Sequence, residues 1–359
     1  GVPSFRVDVS RPEDMSEEVA RLWGYNNIQT SYPQVPAKGR PLNPKIPLRG
    51  KLRQILTGYS FFEAINYNFI HEESCDRMLL VQEDPRRRTE SILNPISDQM
   101  SVLRSSLIPG LLETMKKNIS QQNNTLRLFE IGKVFYATQK GELPEENEII
   151  AGLITGNRLE QSWYAKKTAY DFFDLKGVVE GMFAALKIEN ATFEKAPSNG
   201  FPYFENGYAA VVKAGGSTLG ALGRIAAPVL KNFGLKSDAF VFDLSVDALQ
   251  KERPEAVNAV ILPKFPSLSR DITIIVDKSV TVGSVLDLIA GIAKKEALIE
   301  SFFLFDAFEG EPLAAGKKSL SFRVVYRSFD KTLTEKNVKK LHAGISQAIV
   351  NQFDADLPD

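Results

Sequence analysis

Cysteine is almost missing: Cys75 is the one thiol in 359 residues. A single thiol excludes an internal disulfide framework and a cysteine-built zinc site. Histidine is nearly as scarce, with His71 and His342 alone, which argues against a multi-histidine metal centre. Charge of one sign is not in excess either: 44 Lys and Arg balance 44 Asp and Glu. That balance excludes a histone-like polycation and an acidic solvating tail, while leaving room for a local nucleic-acid patch. No apolar run reaches the roughly 18–20 residues of a membrane span. Gly1-Val2-Pro3-Ser4-Phe5-Arg6 has no apolar stretch behind its charge and does not read as a signal peptide. A reducing compartment fits best, and the expectation is a cytoplasmic protein with no membrane contact. The chain opens without Met and reads as a piece cut from something longer.

What is present divides the chain. At roughly 100–200 residues per domain, the length suggests two or three domains. Residues 1–32 hold a strand-like piece at 4–9 and a helix from Pro12, with Ser10 as a plausible N-cap and Gly24 as its stop. Residues 33–49 carry five prolines and read as a linker. Residues 50–252 read as one mixed domain of α-helices and a long antiparallel sheet. Strands are expected at 64–70, 126–137, 149–155, 208–213, 219–224 and 240–244, and helices at 51–58, 105–119 and 175–185. The pair Gly215-Gly216 between two of those strands predicts a hairpin turn. Residues 253–263 read as a second linker. Residues 264–359 follow the order strand, helix, strand, strand, helix and weak final strand. That is the split βαββαβ arrangement of ferredoxin-like folds.

Few residues offer nucleophilic chemistry. There is no G-x-S-x-G elbow and no G-x-x-x-x-G-K-[ST] phosphate loop, and His342 sits in a helical pattern beside Leu341 and Ile345. Two other groups stand out. Asp14, Glu17 and Glu18 fall at i, i+3 and i+4, so they share one helical face, and Asp8 precedes them. Carboxylates alone suit a hard cation such as Mg²⁺ or Ca²⁺. The same acids equally suit the dipole of a solvated helix N-terminus. The second group lies in the last domain. Ser321, Arg323, Val325 and Arg327 take one face of a strand, and Phe322, Val324 and Tyr326 the other. Thr273, Ile275 and Phe303 or Phe305 can join the first face from neighbouring strands. Arginines among aromatics on an open sheet could stack bases and hold phosphates; an ordinary solvated face is the competing reading. From Lys264 onward thirteen basic residues meet thirteen acidic ones, so any RNA patch must come from how they are distributed.

Several segments, taken together, resemble the β subunit of bacterial phenylalanyl-tRNA synthetase. They are Val2 to Asp8 with Glu17 to Ile28, Leu93 to Ser97 with Val102 to Leu112, and Arg127 to Phe135. Further along come Phe172 to Gly177, Lys264-Phe265-Pro266, Ser269-Arg270-Asp271, Tyr326-Arg327-Ser328 and Thr332-Leu333-Thr334. The resemblance implies an α+β chain: the tail of a DNA-binding-like helical domain (1–32), a class II aminoacyl-tRNA synthetase-like antiparallel sheet domain (50–252), and a ferredoxin-like anticodon-binding domain (264–359). It implies that Asp8, Asp14, Glu17 and Glu18 hold a Mg²⁺ near an α subunit. Class II catalytic domains carry an arginine after the strand that matches Gly132-Lys133-Val134-Phe135. Here Tyr136 follows, and Phe240 to Leu244 has neither the glycines nor the arginine of the other ATP signature. A tyrosine cannot supply the fixed cationic fork.

The expectation is therefore a non-catalytic piece of an enzyme subunit, with no catalytic residue of its own and no ATP bound to it. The holoenzyme, an (αβ)₂ heterotetramer, would use ATP to join phenylalanine to tRNA(Phe). This chain would scaffold the α subunit and touch the anticodon end of the tRNA through Arg323 and Arg327, with Lys264 and Arg270 as outer candidates. Editing would lie outside it. Arg270-Asp271 as an internal ion pair is the competing reading for that pair. A single-chain class II synthetase and an effector-binding protein with a ferredoxin-like domain are the alternatives; fold alone does not separate them.

Overall fold

A computed structural model of the chain describes residues 1–32, 43–95, 97–139, 141–189, 191–197, 200–254, 256, 259 and 261–358. It divides into two compact units, Gly1–Val257 and Asn258–Asp359. The linker expected at 33–49 lies outside the described residues from 33 to 42, and that at 253–263 does so in part.

In the first unit, seven strands form one sheet among the described residues. Their spatial order is Phe62–Glu63, Leu126–Tyr136, Glu145–Thr155, Ala239–Ser245, Ser217–Ile225, Phe204–Ala214 and Thr192–Lys195. The sheet is mixed, not purely antiparallel as the sequence suggests. Phe62–Glu63 runs parallel to Leu126–Tyr136, whereas the other neighbours are antiparallel. Parallel pairing needs a crossover, and the helix Ile108–Ser120 supplies it between these two strands. The strand expected at 64–70 shrinks to the two-residue pieces Phe62–Glu63 and Phe69–Ile70. No strand forms at 4–9, where the backbone turns instead. Gly215 and Gly216 make the hairpin turn, both at positive φ, +54 and +82.

Both faces of this sheet are covered. Leu128 and Phe129 are neighbours, so they point to opposite sides. Phe129 packs with Leu48, Leu52, Leu175, Val179 and Met182 of the helices Lys45–Gly58 and Phe172–Leu186. Leu128 packs with Leu111, Leu112 and Met115 of Ile108–Ser120. The helix Lys45–Gly58 begins inside the expected linker. Pro47 is tolerated there because first-turn N–H groups have no helical partner to lose. Likewise Pro109 opens a helix rather than breaking one. Phe172–Leu186 is fixed by a reciprocal cap. The Asp171 carboxylate accepts from the N–H groups of Phe173 and Asp174, and the Asp174 carboxylate accepts from that of Asp171.

Two of the recognisable segments meet in a buried ion pair. Arg104 donates to Glu130 at 2.6 Å and to the Lys133 carbonyl at 2.9 Å, and both charged side chains are 4% exposed. Glu130 also accepts from Asn66 at 2.7 Å, whose own side-chain oxygen accepts from Thr114 at 2.7 Å. Gly132 makes room for this: a Cβ there would lie 2.2 Å from a terminal nitrogen of Arg104.

The second unit has three antiparallel strands in the order Leu268–Asp277, Lys317–Tyr326, Ile299–Phe308, with helices Val282–Ala293 and Glu335–Phe353. Ile272, Ile274, Val276, Phe322, Val324 and Tyr326 form the core with Val285, Ile289, Val338 and Ile345 of those helices. The expected final strand is reduced to one bridge, Asp356 with Ile275. Among the described residues, no helix is long and apolar enough to cross a membrane.

Candidate nucleic-acid interface

One sheet face of the second unit packs on its helices and the other stays open. The alternation of Lys317–Tyr326 decides what the open face shows: with Phe322 and Val324 in the core, Arg323 must point outward. Strand register then sets Asp271, Arg323 and Phe303 in one row across the three strands. Asp271 receives two bonds from the Arg323 guanidinium, at 2.7 and 2.8 Å. This fork holds the Asp271 carboxyl below the usual carboxylate range and raises Arg323. It also fixes the guanidinium plane, which lies 5.0 Å from the Phe305 ring centroid.

Phe305 is on that face because of an irregularity. The pairing of Ile299–Phe308 with its neighbour slips between Leu304 and Asp306, so Phe305 is the extra residue of a bulge. Phe303, Phe305 and Phe308 are 45, 46 and 45% exposed. Phe303 and Phe305 flank the braced guanidinium, with Phe308 further along opposite Ser319; every base has a π-face that rings and guanidinium groups can cover. The hydroxyls of Thr273 and Ser321, 2.9 Å apart, lie one row further along.

The other named cations sit elsewhere. Arg327 follows the end of its strand, bonded to Glu300 at 2.8 Å and to the Phe265 carbonyl at 2.7 Å. Arg270 shares the helix-covered face with Ile272 and pairs with Glu335 at 2.5 Å. Arg270 and Asp271 are therefore not paired with each other, since adjacent strand residues face opposite ways. Lys264 is exposed. Phe308 was not singled out by the sequence reading; its exposure depends on the bulge, which no spacing rule marks. His342 faces the sheet, 2.9 Å from the Tyr326 hydroxyl, and burial pushes its pKa down.

The four N-terminal carboxylates belong to the first unit. Arg6 bonds Asp8 at 2.7 Å and Glu18 at 2.5 Å, and Arg21 holds the other oxygen of Glu18 at 2.6 Å. These guanidinium bonds pull the Glu18 carboxyl down to about 2. Asp14 accepts from the backbone N–H groups of Ser10 and Arg11, both at 2.7 Å, and Glu17 is exposed. In this arrangement the four do not fit a magnesium ion: two are neutralised by Arg6 and a third is spent on the helix start. Among the described residues no three His, Cys, Asp or Glu gather as a metal site.

In the large sheet, Tyr136 stands at the strand end where the resemblance expects an arginine, beside a cavity it shares with Arg86 and Asp243. Its pKa is pushed up to about 12, first by burial. Arg86 stands in the run Arg86-Arg87-Arg88, which no motif singles out. Its clue was Asp84 two residues before, which receives a two-pronged bond from Arg86 at 2.8 and 2.6 Å.

The second unit is thus a ferredoxin-like domain with one sheet face open, and residues 263–358 match the model of the ferredoxin-fold anticodon binding domain. Residues 28–246 match the phenylalanyl tRNA synthetase beta chain CLM domain. With more than half of its length matched in this way, the chain belongs to the phenylalanyl-tRNA synthetase beta chain family. It is 36% identical to the phenylalanine–tRNA ligase beta subunit of Desulfotalea psychrophila over 99% of this chain and 45% of that protein. Identity to the beta subunit of Geobacter sulfurreducens is 36%, over 99% and 44%, and to that of Bacillus cereus 32%, over 99% and 43%. The chain thus spans less than half the length of the curated relatives it matches.

Proposed function

We propose that this chain is the C-terminal part of a phenylalanine–tRNA ligase beta subunit. It carries no aminoacylation chemistry, scaffolds the α subunit in an (αβ)₂ assembly, and contacts the anticodon region of tRNA(Phe) in the cytoplasm. The observation that carries the RNA role is the open face: Arg323, braced by Asp271, over Phe305 and beside Phe303. Unpaired anticodon bases are splayed and available for stacking, which such a face suits. Arg323 and Arg327 contribute charge through groups already paired. The contact is therefore chiefly stacking, with Lys264 as the freer cation at its margin and Arg270 behind the sheet.

The scaffold role rests on the edge of the large sheet. Phe62, Ile65 and Tyr67 are 74, 92 and 68% exposed within six residues of one edge. Apolar groups on an open edge call for a covering partner. We read the large unit as class II synthetase-like, with helices on both faces of its sheet. Tyr136 and the run Phe240 to Leu244 in place of the ATP-handling residues support a unit that lost its chemistry. ATP is then used by the α subunit and not by this chain.

Co-expression with an α subunit from the same organism tests the reading, with size and stoichiometry read by light scattering and RNA affinity by filter binding. A stable complex that holds tRNA(Phe) and loses that affinity on Phe305→Ala is expected. A chain that ignores the α subunit and activates phenylalanine with ATP by itself overturns the proposal in favour of a single-chain synthetase.

A further inference from the structure

The large unit carries a half-open pocket of about 130 Å³ whose walls include Tyr136, Phe201, Tyr203, Ser105, Arg86 and Asp243. Its charges do not balance. Arg86 is fully engaged: Asp84 takes its fork, and it also donates to the Tyr203 hydroxyl at 2.8 Å and to the Gly200 carbonyl at 3.2 Å. Asp84 and Arg86 therefore cancel. Asp243 has no such partner: among the described residues none donates a hydrogen bond to its carboxylate or pairs with it. It projects from the Ala239–Ser245 strand into this space, partly buried. Its carboxylate is thus reached through the pocket's mouth, and among the described residues lining the pocket it is the charge without a charged partner.

We propose that this cavity is a binding site for a small organic cation, a primary ammonium or amidinium of a few heavy atoms, held by Asp243 and walled by the aromatic rings. Size, charge and wall chemistry agree. A cavity of this volume admits a handful of heavy atoms, a water occupying about 30 Å³. One uncompensated negative charge calls for one positive one. The rings of Tyr136, Phe201 and Tyr203 present π-faces and edges that suit a cation's alkyl portion and its charge. Ser105 offers a hydroxyl as a second acceptor. An anionic ligand would be repelled by the carboxylate, and a neutral donor such as an alcohol could hydrogen-bond to it without balancing its charge. Burial holds the Asp243 carboxyl up at about 6, so it is ionised at neutral pH and uncharged in mild acid. The groups facing it are Arg86 with Asp84, and the two tyrosines, which stay neutral throughout that range. Binding therefore follows Asp243 alone.

Isothermal titration of the full chain at pH 8, with ethylammonium chloride against ethanol as neutral isostere at matched ionic strength, tests this. Ethylammonium is expected to bind at least about tenfold more tightly than ethanol, and Asp243→Asn to lose at least about tenfold of that affinity. If Asp243→Asn does not fold, the wild-type chain carries the test alone: affinity must fall tenfold per pH unit below about 6. Equal binding of ethanol, ammonium binding that survives Asp243→Asn, or affinity that ignores pH between 8 and about 5 would each overturn the assignment.

Discussion

The buried pair of Arg104 and Glu130 allows a quantitative test of how the large unit is held together. Glu130→Gln keeps the side chain's shape and removes its charge. The carboxylate accepts from Arg104 and from the Asn66 backbone with one oxygen, and from the Asn66 side chain with the other. A glutamine has one oxygen, so its NH₂ must face a donor. Arg104 is then left charged and 4% exposed, without its counter-ion. Removing one partner of a buried pair costs about 3–5 kcal/mol. With a slope of about 3 kcal/mol per molar urea, that lowers the midpoint of the large unit's transition by about 1 M or more. Arg104→Met should cost a similar amount. The double variant Arg104→Met with Glu130→Gln should cost much less than the two single losses added, because it strands no charge. Urea unfolding followed by circular dichroism, with hydrogen exchange on Leu126–Tyr136 to assign the transition, reads all three. A Glu130→Gln chain within about 0.5 kcal/mol of wild type, or strict additivity in the cycle, would refute the reasoning.

Other outcomes follow from the same geometry. Phe303→Ala and Phe305→Ala should each weaken tRNA(Phe) binding by about 1–3 kcal/mol, roughly five- to hundredfold, if each ring stacks one base; filter binding at fixed salt measures it. His342 is held neutral by burial, so its folded pKa lies below its unfolded one. The unfolded chain then takes up protons first, and the smaller unit should lose stability as pH falls below about 6.5. His342→Gln should flatten that loss, as chemical denaturation between pH 7.5 and 5 would show. Arg6 already pairs with Asp8 and Glu18, two of the carboxylates a cation would need. Arg6→Ala should therefore raise Mg²⁺ affinity at least about tenfold in calorimetry; tight Mg²⁺ binding by the unaltered chain would contradict the arrangement.

Patterned elements were legible in the sequence, and paired side chains were not. Ile272, Ile274 and Val276 alternate against Phe322, Val324 and Tyr326, so the small sheet could be read from period two alone. The long strands of the large unit announce themselves in the same way. The piece at 4–9 alternates too, but among the described residues no strand pairs with it, and alternation without a partner makes no sheet. Phe62–Glu63 is too short for any period, and its parallel pairing is decided by a crossover some sixty residues long. At the open face, strand parity placed Arg323 correctly among outward residues. It could not say that Asp271 would choose Arg323 across the sheet, leaving Arg270 to Glu335 behind it. Nothing in the run Arg86-Arg87-Arg88 tells one arginine from the next; the burial of Arg86 against Tyr203 and Asp84 is a tertiary outcome. The spacing of Asp14, Glu17 and Glu18 puts them on one helical face, but that Arg6 would pair with Asp8 and Glu18 is not a matter of spacing.

The bulge at Phe305 also bears on how readily a second copy of this chain could add strand to strand at this edge. Ile299–Phe308 is an edge strand, with one side of its backbone unpaired. A regular edge carrying three bare phenylalanines would invite a second chain to add on and propagate. Its pairing instead breaks twice, near Ser301 and near Asp306, so the free N–H and C=O groups no longer recur at the spacing a foreign strand requires. Straightening it, by deleting Phe305, should convert a surface for single bases into a nucleus for aggregation.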